Sequence, residues 1–256
     1  MNENITYLSV LYLFIPVLLF LFFNLKLQLG ISKKSIIAII RMFIQLSLVG
    51  LFLQYLFDYN NWLINIAYIF IMILVASITT INSTLLVIKK HLLPIFSAIF
   101  IVNITMLVYF NYLVIDLTNI FTARYLIPIA GMIIGNSLSG NIIAIDRFYK
   151  NIKDNQKKYF TTLSLSTSRY EALRPYFRSA IKASVNPTIA SIETIGLVAL
   201  PGMMTGQILG GSAPMTAILY QIAIMIAILI VRYFTAILTI LFTIRKSFND
   251  YDVLDL

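Results

Sequence analysis

Seven long apolar stretches constrain this chain more than any other feature of its sequence. Each approaches or exceeds the roughly 20 residues that an α-helix needs to cross the hydrocarbon core of a bilayer. They lie at residues 5–23, 35–57, 62–88, 92–113, 124–146, 188–210 and 214–243. Backbone groups in lipid must be hydrogen-bonded within their own segment, so the spanning elements are helices. The expected fold class is therefore all-α, a polytopic membrane bundle of about seven transmembrane helices.

Composition supports this assignment. The chain is 60% hydrophobic and 11% charged, whereas soluble domains average roughly 25% charged residues. Because the spans use nearly the whole length, we expect one transmembrane domain over residues 1–256, with multi-pass insertion in a cell membrane, either a bacterial inner membrane or a plasma membrane. The N-terminus has no basic region before its apolar run, which predicts a first span rather than a signal peptide. The absence of cysteine excludes disulfides and Cys-ligated metals.

Basic residues mark one side of the membrane. Sixteen of the nineteen Lys and Arg residues follow spans 1, 3, 5 and 7, and the intervening connections hold almost none. The positive-inside rule then predicts an outside N-terminus and an inside C-terminus. Contact with anionic membrane lipids accounts for the net charge of +9, and no nucleic-acid motif accompanies it.

One long connection, at about residues 147–187, is predicted to lie in the cytoplasm. Ser164, Ser166, Thr167 and Ser168 are suitable helix N-caps. Tyr170, Leu173 and Phe177 follow at helical amphipathic spacing, and Pro175 is expected to end or kink that helix. From this pattern alone, the helix either lies on the lipid surface or docks a cytoplasmic partner.

The stretch 186–211 carries the strongest functional signal. Glu193 is an acid within an apolar span, a position that usually faces the bundle interior or a cavity. It is a candidate for the transport path and for binding a metal cation, and the alternative is a structural ion pair with Arg41. Pro201 and Gly202 near the middle of the span predict a kink or a broken, re-entrant element.

Small residues form two ladders that predict close helix packing. Their four-residue spacing places them on one helix face, where backbones can approach. We expect the two helices to form a movable seam, packed on each other or across a dimer. The predicted seam residues are Gly131, Gly135 and Ser139 in span 5, with Pro201, Gly202, Gly206 and Gly210 in span 6.

Other polar and thioether side chains complete the candidate path. These residues are Asn136, Gln207, Gln45, Met203 and Met204. Methionine in apolar cores is by default a packing residue, and thioethers without cysteine or further histidine make a poor metal site. The single histidine, His91, follows two lysines at a span boundary and is interpreted as interfacial. No Gly-Lys pair occurs, so the chain lacks a Walker A motif and any ATP must be bound by another chain.

Several longer strings resemble a known family. RMFIQLSLVG at 41–50, IPIAGMIIGN at 127–136 and NPTIASIETIGLVALPGMMTGQILGG at 186–211 are similar to the permease subunit of the Fet-type (FetB) iron exporters, which has plant relatives associated with aluminium tolerance. The resemblance implies the membrane-spanning subunit of an ABC transporter. It further implies a homodimer with two copies of a separate cytoplasmic ATPase, and export of iron or another metal.

The resemblance also bears on the long connection. LSLSTSRYEALRPYF is similar to an ABC coupling loop, except that Ser166 stands where a glycine is typical. It favours ATPase docking by residues 166–177, namely Ser166, Arg169, Tyr170, Glu171, Leu173 and Phe177. Two alternatives remain: an ATP-independent channel or secondary transporter for a cation, and a scaffold that does not transport. No cofactor is expected in this chain itself, and no catalytic residue is predicted.

Overall fold

The computed structural model describes residues 7–117, 119–165 and 168–255, and it divides into two compact units, Met1–Tyr59 and Asn60–Leu256. The described regular structure is helical, with two isolated β-bridges and no strand among these residues. The prediction of an all-α membrane protein is confirmed. Six described helical segments are long and apolar enough to cross a membrane. The orientation of the termini stays a prediction.

The first unit holds three helices: α1 (Tyr7–Leu11), α2 (Phe14–Lys26) and α3 (Ser32–Tyr59). The predicted first span is interrupted between α1 and α2. Pro16 lies in the first turn of α2, and its ring nitrogen cannot donate to the carbonyl of Tyr12, one turn earlier. Proline is tolerated in that first turn because the N–H groups there have no partner within the helix.

The second unit holds the remaining helices. They are α4 (Trp62–Asn82), α5 (Ile88–Tyr109), α6 (Ala123–Asp154), α7 (Gln156–Leu165), α8 (Arg169–Thr194), α9 (Gly202–Leu209) and α10 (Pro214–Ser247), and a π-helical turn, Phe110–Val114, extends α5. Helix α4 ends at Asn82, six residues before the predicted end of the third span at residue 88. Residue 88 is instead the first residue of α5.

Helices α6 and α10 form the centre of the second unit. They pack on each other and on α5 and α8, α4 packs against α5 and α6, and α9 packs against α10. At about 1.5 Å per residue, α6 and α10 are about 48 and 51 Å long. Both exceed the ~30 Å hydrocarbon core and extend beyond it. The basic end of the unit is where the start of α5, the last turns of α6 and the last turns of α10 meet.

The long connection at 147–187 is mostly helical. Helix α6 continues to Asp154, and α7 and α8 follow. Ser168 caps α8, since its hydroxyl accepts from the backbone N–H of Glu171 at 3.4 Å, as expected for an N-cap. Pro175 does not end the helix, because α8 runs through it and through Pro187 to Thr194.

The predicted sixth span is broken rather than kinked. Helix α8 ends at Thr194, residues 195–201 are not helical, and α9 begins at Gly202. Gly196 has a φ of +81°, a left-handed conformation that side chains disfavour and that commonly ends helices. Its N–H donates to the carbonyl of Ala199 at 3.0 Å, which closes a tight turn. The sequence indicated a kink or a break at Pro201 and Gly202, and the structure adds Gly196 as the residue at which the helix ends.

Candidate functional site

A column of polar side chains lies on the face of α10 that is directed into the second unit. From Arg232 to Ser247, its members follow one another at three or four residues, so they lie on a single helix face. Buried polar groups within a membrane are costly unless they are hydrogen-bonded, so such a column marks a structural or functional requirement. The buried members are Gln221, Arg232, Thr235, Thr239, Thr243 and Ser247.

At the basic end, this column joins a chain of hydrogen bonds. Nε2 of His91 lies 3.0 Å from the Ser247 hydroxyl, Ser247 contacts the Tyr149 hydroxyl at 2.8 Å, and Tyr149 donates to Thr243 at 2.8 Å. His91 was expected at the interface, but it is fully buried. Its Nδ1 lies 3.0 Å from the carbonyl of Val87, which can only accept, so Nδ1 carries a hydrogen.

The hydroxyl of Ser247 has three neighbours in this network. It lies 3.0 Å from Nε2 of His91, 2.8 Å from the hydroxyl of Tyr149 and 2.9 Å from the carbonyl of Thr243. The network ends where the hydroxyl of Thr243 donates to the carbonyl of Thr239 at 2.7 Å. These hydrogen bonds join the start of α5 and the last turns of α6 to the last turns of α10.

Replacing Tyr149 with phenylalanine tests the contribution of this chain. Its hydroxyl is buried and connects Ser247 with Thr243, so its loss removes one hydrogen bond from each of these groups, which keep their other partners. We expect the free energy of unfolding to fall by about 0.5–1.5 kcal/mol, measured by SDS-induced unfolding in mixed micelles. Tyr233→Phe is the matched control, because this α10 tyrosine is exposed. Equal stability of the two variants would contradict the role assigned to the chain.

Eleven residues before Thr243 on α10, Arg232 contacts both α6 and α8. Only 6% of its surface is exposed. Its Nη1 donates to the Thr188 hydroxyl at 3.0 Å, and its Nε has no hydrogen-bond partner among the described residues. Its aliphatic stem lies over Gly140, where an added Cβ would meet Cγ of Arg232 at 2.5 Å. The hydroxyl of Ser184 donates to the carbonyl of Gly140 at 2.9 Å.

Sequence reasoning missed both Arg232 and Gly140. Arg232 is one of the three basic residues that do not fall in the basic connections, and the only one of those three within the last span. That position in the middle of a 34-residue apolar helix was the available signal. No signal in the sequence marked Gly140. It lies next to the predicted ladder of Gly131, Gly135 and Ser139 but on a different helix face.

Most predicted path residues of the second unit lie on α6 and α9. Asn136 is half-buried and donates to the carbonyl of Met132 at 2.8 Å. Met204 is buried and Met203 packs against the core. The Oε1 atom of Gln207 is buried and accepts no hydrogen bond from any described residue. Both methionines therefore pack in or against the core. The Oε1 atom of Gln207 can still accept a hydrogen bond.

Glu193 is exposed on the last turn of α8 rather than buried. It lies five residues beyond Thr188, the partner of Arg232, and immediately before the non-helical segment. No group of three His, Asp or Glu residues that could hold a metal occurs within the described ranges. Arg41 and Gln45 lie on α3, in the first unit. The ion pair of Arg41 with Glu193 and the place of Gln45 on the path both stay predictions.

The two ladders differ in their surroundings. Beside Gly131, an added Cβ would touch Met72 at 3.7 Å, whereas nothing lies within 4 Å at Gly135, Gly202 or Gly206. Gly210 meets only backbone atoms of α9, and Ser139 is exposed. Pro201 is the N-cap of α9. The open positions are compatible with a partner surface, and the seam itself stays a prediction.

The residues predicted to contact an ATPase differ in their exposure. Tyr170 and Glu171 are exposed on the first turn of α8. Leu173 is 2% exposed and Phe177 is packed against the core, so neither presents its full side chain to a partner. Ser166 lies outside the described residues. Of the described predicted contacts, Tyr170 and Glu171 are therefore the exposed ones.

Arg169, the remaining predicted contact, pairs with the C-terminal tail of its own chain. Its Nη1 lies 2.8 Å from Oδ1 of Asp252, and its guanidinium lies 5.6 Å from the ring centroid of Phe248. Tyr159 donates to the carbonyl of Asp252 at 3.2 Å. Burial first, and then the charge of Asp252, raise the pKa of Tyr159 to about 12, so this hydroxyl stays protonated and able to donate. The tail thus fixes the start of α8.

The amino-acid sequence of this chain matches a known protein family. The Uncharacterised protein family (UPF0014) matches residues 6–248. The UPF0014 membrane protein YjkA of Bacillus subtilis is 32% identical over 248 residues, which cover 95% of this chain and 96% of that protein. No solved structure matches.

Two further relatives have informative names. Protein ALUMINUM SENSITIVE 3 of Arabidopsis thaliana is 33% identical over 215 residues, covering 82% of this chain and 76% of that protein. The Probable iron export permease protein FetB of Escherichia coli is 27% identical over 248 residues, covering 97% of this chain and 94% of that protein. The similarity extends along most of the chain in each case.

Proposed function

Because the chain belongs to the UPF0014 family of membrane proteins, we propose that it is the membrane-spanning permease subunit of an ABC transporter that exports iron or another metal. The observation that carries this proposal is the similarity to a probable iron export permease over 97% of this chain. The relative named for aluminium sensitivity supports a role in metal handling.

The polar column of α10 supports transport rather than anchoring. A passive anchor gains nothing from a buried arginine and a row of buried hydroxyls, because each polar group in a membrane needs a partner. The broken element between α8 and α9 supports the same conclusion, since it falls in the predicted sixth span, and non-helical backbone at membrane depth is tolerated where it is buried in protein or lines a watery cavity. Residues 195–201 supply that segment.

The ATP-binding subunit is a separate chain in this proposal, because the sequence has no Walker A motif. It docks at the first turn of α8, where Tyr170 is 53% exposed. The tail bound to Arg169 holds this turn in place. A homodimer of the permease then binds two ATPase subunits, and ATP hydrolysis drives alternating access.

Reconstitution into liposomes tests the proposal. The purified chain is inserted with and without its proposed ABC ATPase partner, and ATP-dependent movement of ⁵⁵Fe is measured. We expect movement only with both the ATPase and ATP, and a loss of about tenfold in Tyr170→Ala because an exposed aromatic anchor is removed. Tyr251→Ala is the matched control, since Tyr251 is 85% exposed in the tail. Iron movement by the permease alone would instead establish a channel or secondary transporter.

A further inference from the structure

Arg232 places a positive charge deep within the second unit. It lies thirteen residues before Arg245, which follows the apolar part of α10 at the basic end. At ~1.5 Å per residue this is about 20 Å along the helix axis, well beyond the depth of lipid headgroups at that end. The guanidinium is therefore not a snorkelling interfacial group.

The contacts of Arg232 are neutral. Its recorded hydrogen bond goes to the hydroxyl of Thr188, and its stem packs over Gly140. Over the described residues, the ion pairs are Lys90 with Asp255 and Arg169 with Asp252, both at the basic end. Arginine cannot lose its proton in a protein, so it stays charged. A buried charge without a partner of opposite sign is strongly unfavourable.

The acids nearest in sequence to these contacts do not neutralise Arg232. Glu193 lies five residues beyond Thr188, about 7.5 Å along α8, and is exposed. Asp146 lies six residues beyond Gly140, about 9 Å along α6 toward the basic end. Neither carboxylate comes within ion-pair distance of Arg232. The balancing negative charge therefore comes from outside the described chain.

We propose that Arg232 binds a carboxylate or phosphate group of a soluble cargo, so that the cargo crosses as an anion or as a metal ion held in an anionic complex. The guanidinium fork matches both groups with paired N–H donors. A bare metal cation is repelled by the same charge, and more strongly at low dielectric than in water. The inference rests on the proposed transport function and specifies the class of its cargo.

Direct binding to the purified full chain tests this without ATP or an ATPase, so its outcome is independent of the export assay. The chain is placed in phosphatidylcholine nanodiscs and dialysed against radiolabelled citrate, pyrophosphate, iron(III) citrate, or iron(II) alone. We expect at least one of the three anionic probes to bind, and iron(II) alone to bind no more than it does to empty nanodiscs. Absence of binding by all three anions, or binding of iron(II) alone as tight as that of the anions, would overturn the proposal.

Variants then locate the site. We expect Arg232→Gln to weaken anion binding about tenfold or more, and Arg232→Lys to weaken it about threefold because lysine keeps the charge and loses the fork. Arg245→Gln is the matched control, an exposed arginine on the same helix, and should bind like wild type. If Arg232→Gln fails to fold, the lysine variant decides, and wild-type affinity in that variant counts against paired recognition. Unchanged affinity in a folded Arg232→Gln protein would refute the proposal.

A lipid source for the anionic group is distinguished by nanodisc composition. With phosphatidylglycerol added, a soluble-cargo site retains its affinity for citrate or pyrophosphate at constant ionic strength. If phosphatidylglycerol weakens anion binding by the wild type but not by Arg245→Gln, the lipid acts at the surface near Arg245. That result leaves the assignment of Arg232 to a soluble cargo in place. Competition that persists in Arg245→Gln would make a lipid phosphate the ligand of Arg232 and overturn the assignment to a soluble cargo.

Discussion

Gly140→Ala is expected to reduce the free energy of unfolding by about 1–3 kcal/mol, the usual cost of forcing extra atoms into a packed core. The new Cβ would lie 2.5 Å from Cγ of Arg232, 2.9 Å from its Nε and 3.1 Å from the hydroxyl of Ser184. Cγ is close to the α10 backbone and cannot swing away like a side-chain end. The helices must therefore separate or Arg232 must leave Thr188. Unfolding in SDS-containing micelles measures the effect.

Gly135→Ala is the matched control on the same helix. No atom lies within 4 Å of a Cβ added there, and Gly135 is exposed. Alanine improves helix stability over glycine by up to about 1 kcal/mol in both variants, so their difference isolates the contact with Arg232. We expect Gly135→Ala to be neutral or more stable than wild type in the monomer. Similar losses in both variants would show that Gly140 is not a site of close approach.

Glu193→Gln is expected to reduce ATP-dependent iron export at least tenfold, equivalent to about 1.4 kcal/mol in the activation free energy. Glu193 lies about 7.5 Å further from the basic end than Thr188, within the predicted sixth span, and it is exposed on α8. A carboxylate facing hydrocarbon is costly, so this position predicts a polar path or a covering second copy. Glutamine keeps the shape and removes a group that can take up and release a proton along the path.

The folded state should not change in this variant, because no recorded ion pair of the described chain involves Glu193. Expression, dimer content and unfolding are therefore measured beside export. Glu193→Asp, which keeps the charge, should retain more export than Glu193→Gln. Export at the wild-type rate in Glu193→Gln would remove this carboxylate from the mechanism and leave it a structural role such as the pair with Arg41.

Local chemistry alone predicted most of the helices. Apolar length placed the spans, and Ser168 was correctly identified as a possible helix cap. Glycine and proline near residues 195–201 indicated an interruption, although a kink was an equal alternative. Such features depend on interactions between residues a few positions apart, which a single sequence displays directly. Of the two effects expected of Pro175, an end of the helix is excluded because α8 continues through it, and α8 packs against α6 and α10.

The candidate site was less predictable, because its contacts join distant parts of the chain. Ser184 bonds to Gly140 and Thr188 bonds to Arg232, each across 44 residues. Arg169 was assigned to a partner from its neighbours in sequence, yet it binds Asp252 of its own tail. No periodicity along one helix reveals which second helix will face it.

The sequence by itself determined an all-helical, multi-pass membrane protein with a basic end and a glycine- and proline-rich interruption, because hydrophobic length, charge and backbone chemistry are local properties. Only the tertiary structure decided that Gly140 rather than Gly135 admits a neighbouring side chain, and that Arg232 is buried among neutral groups. The physical reason is that close packing selects one of several small residues on a helix, and the selection depends on the rotation of neighbouring helices against it.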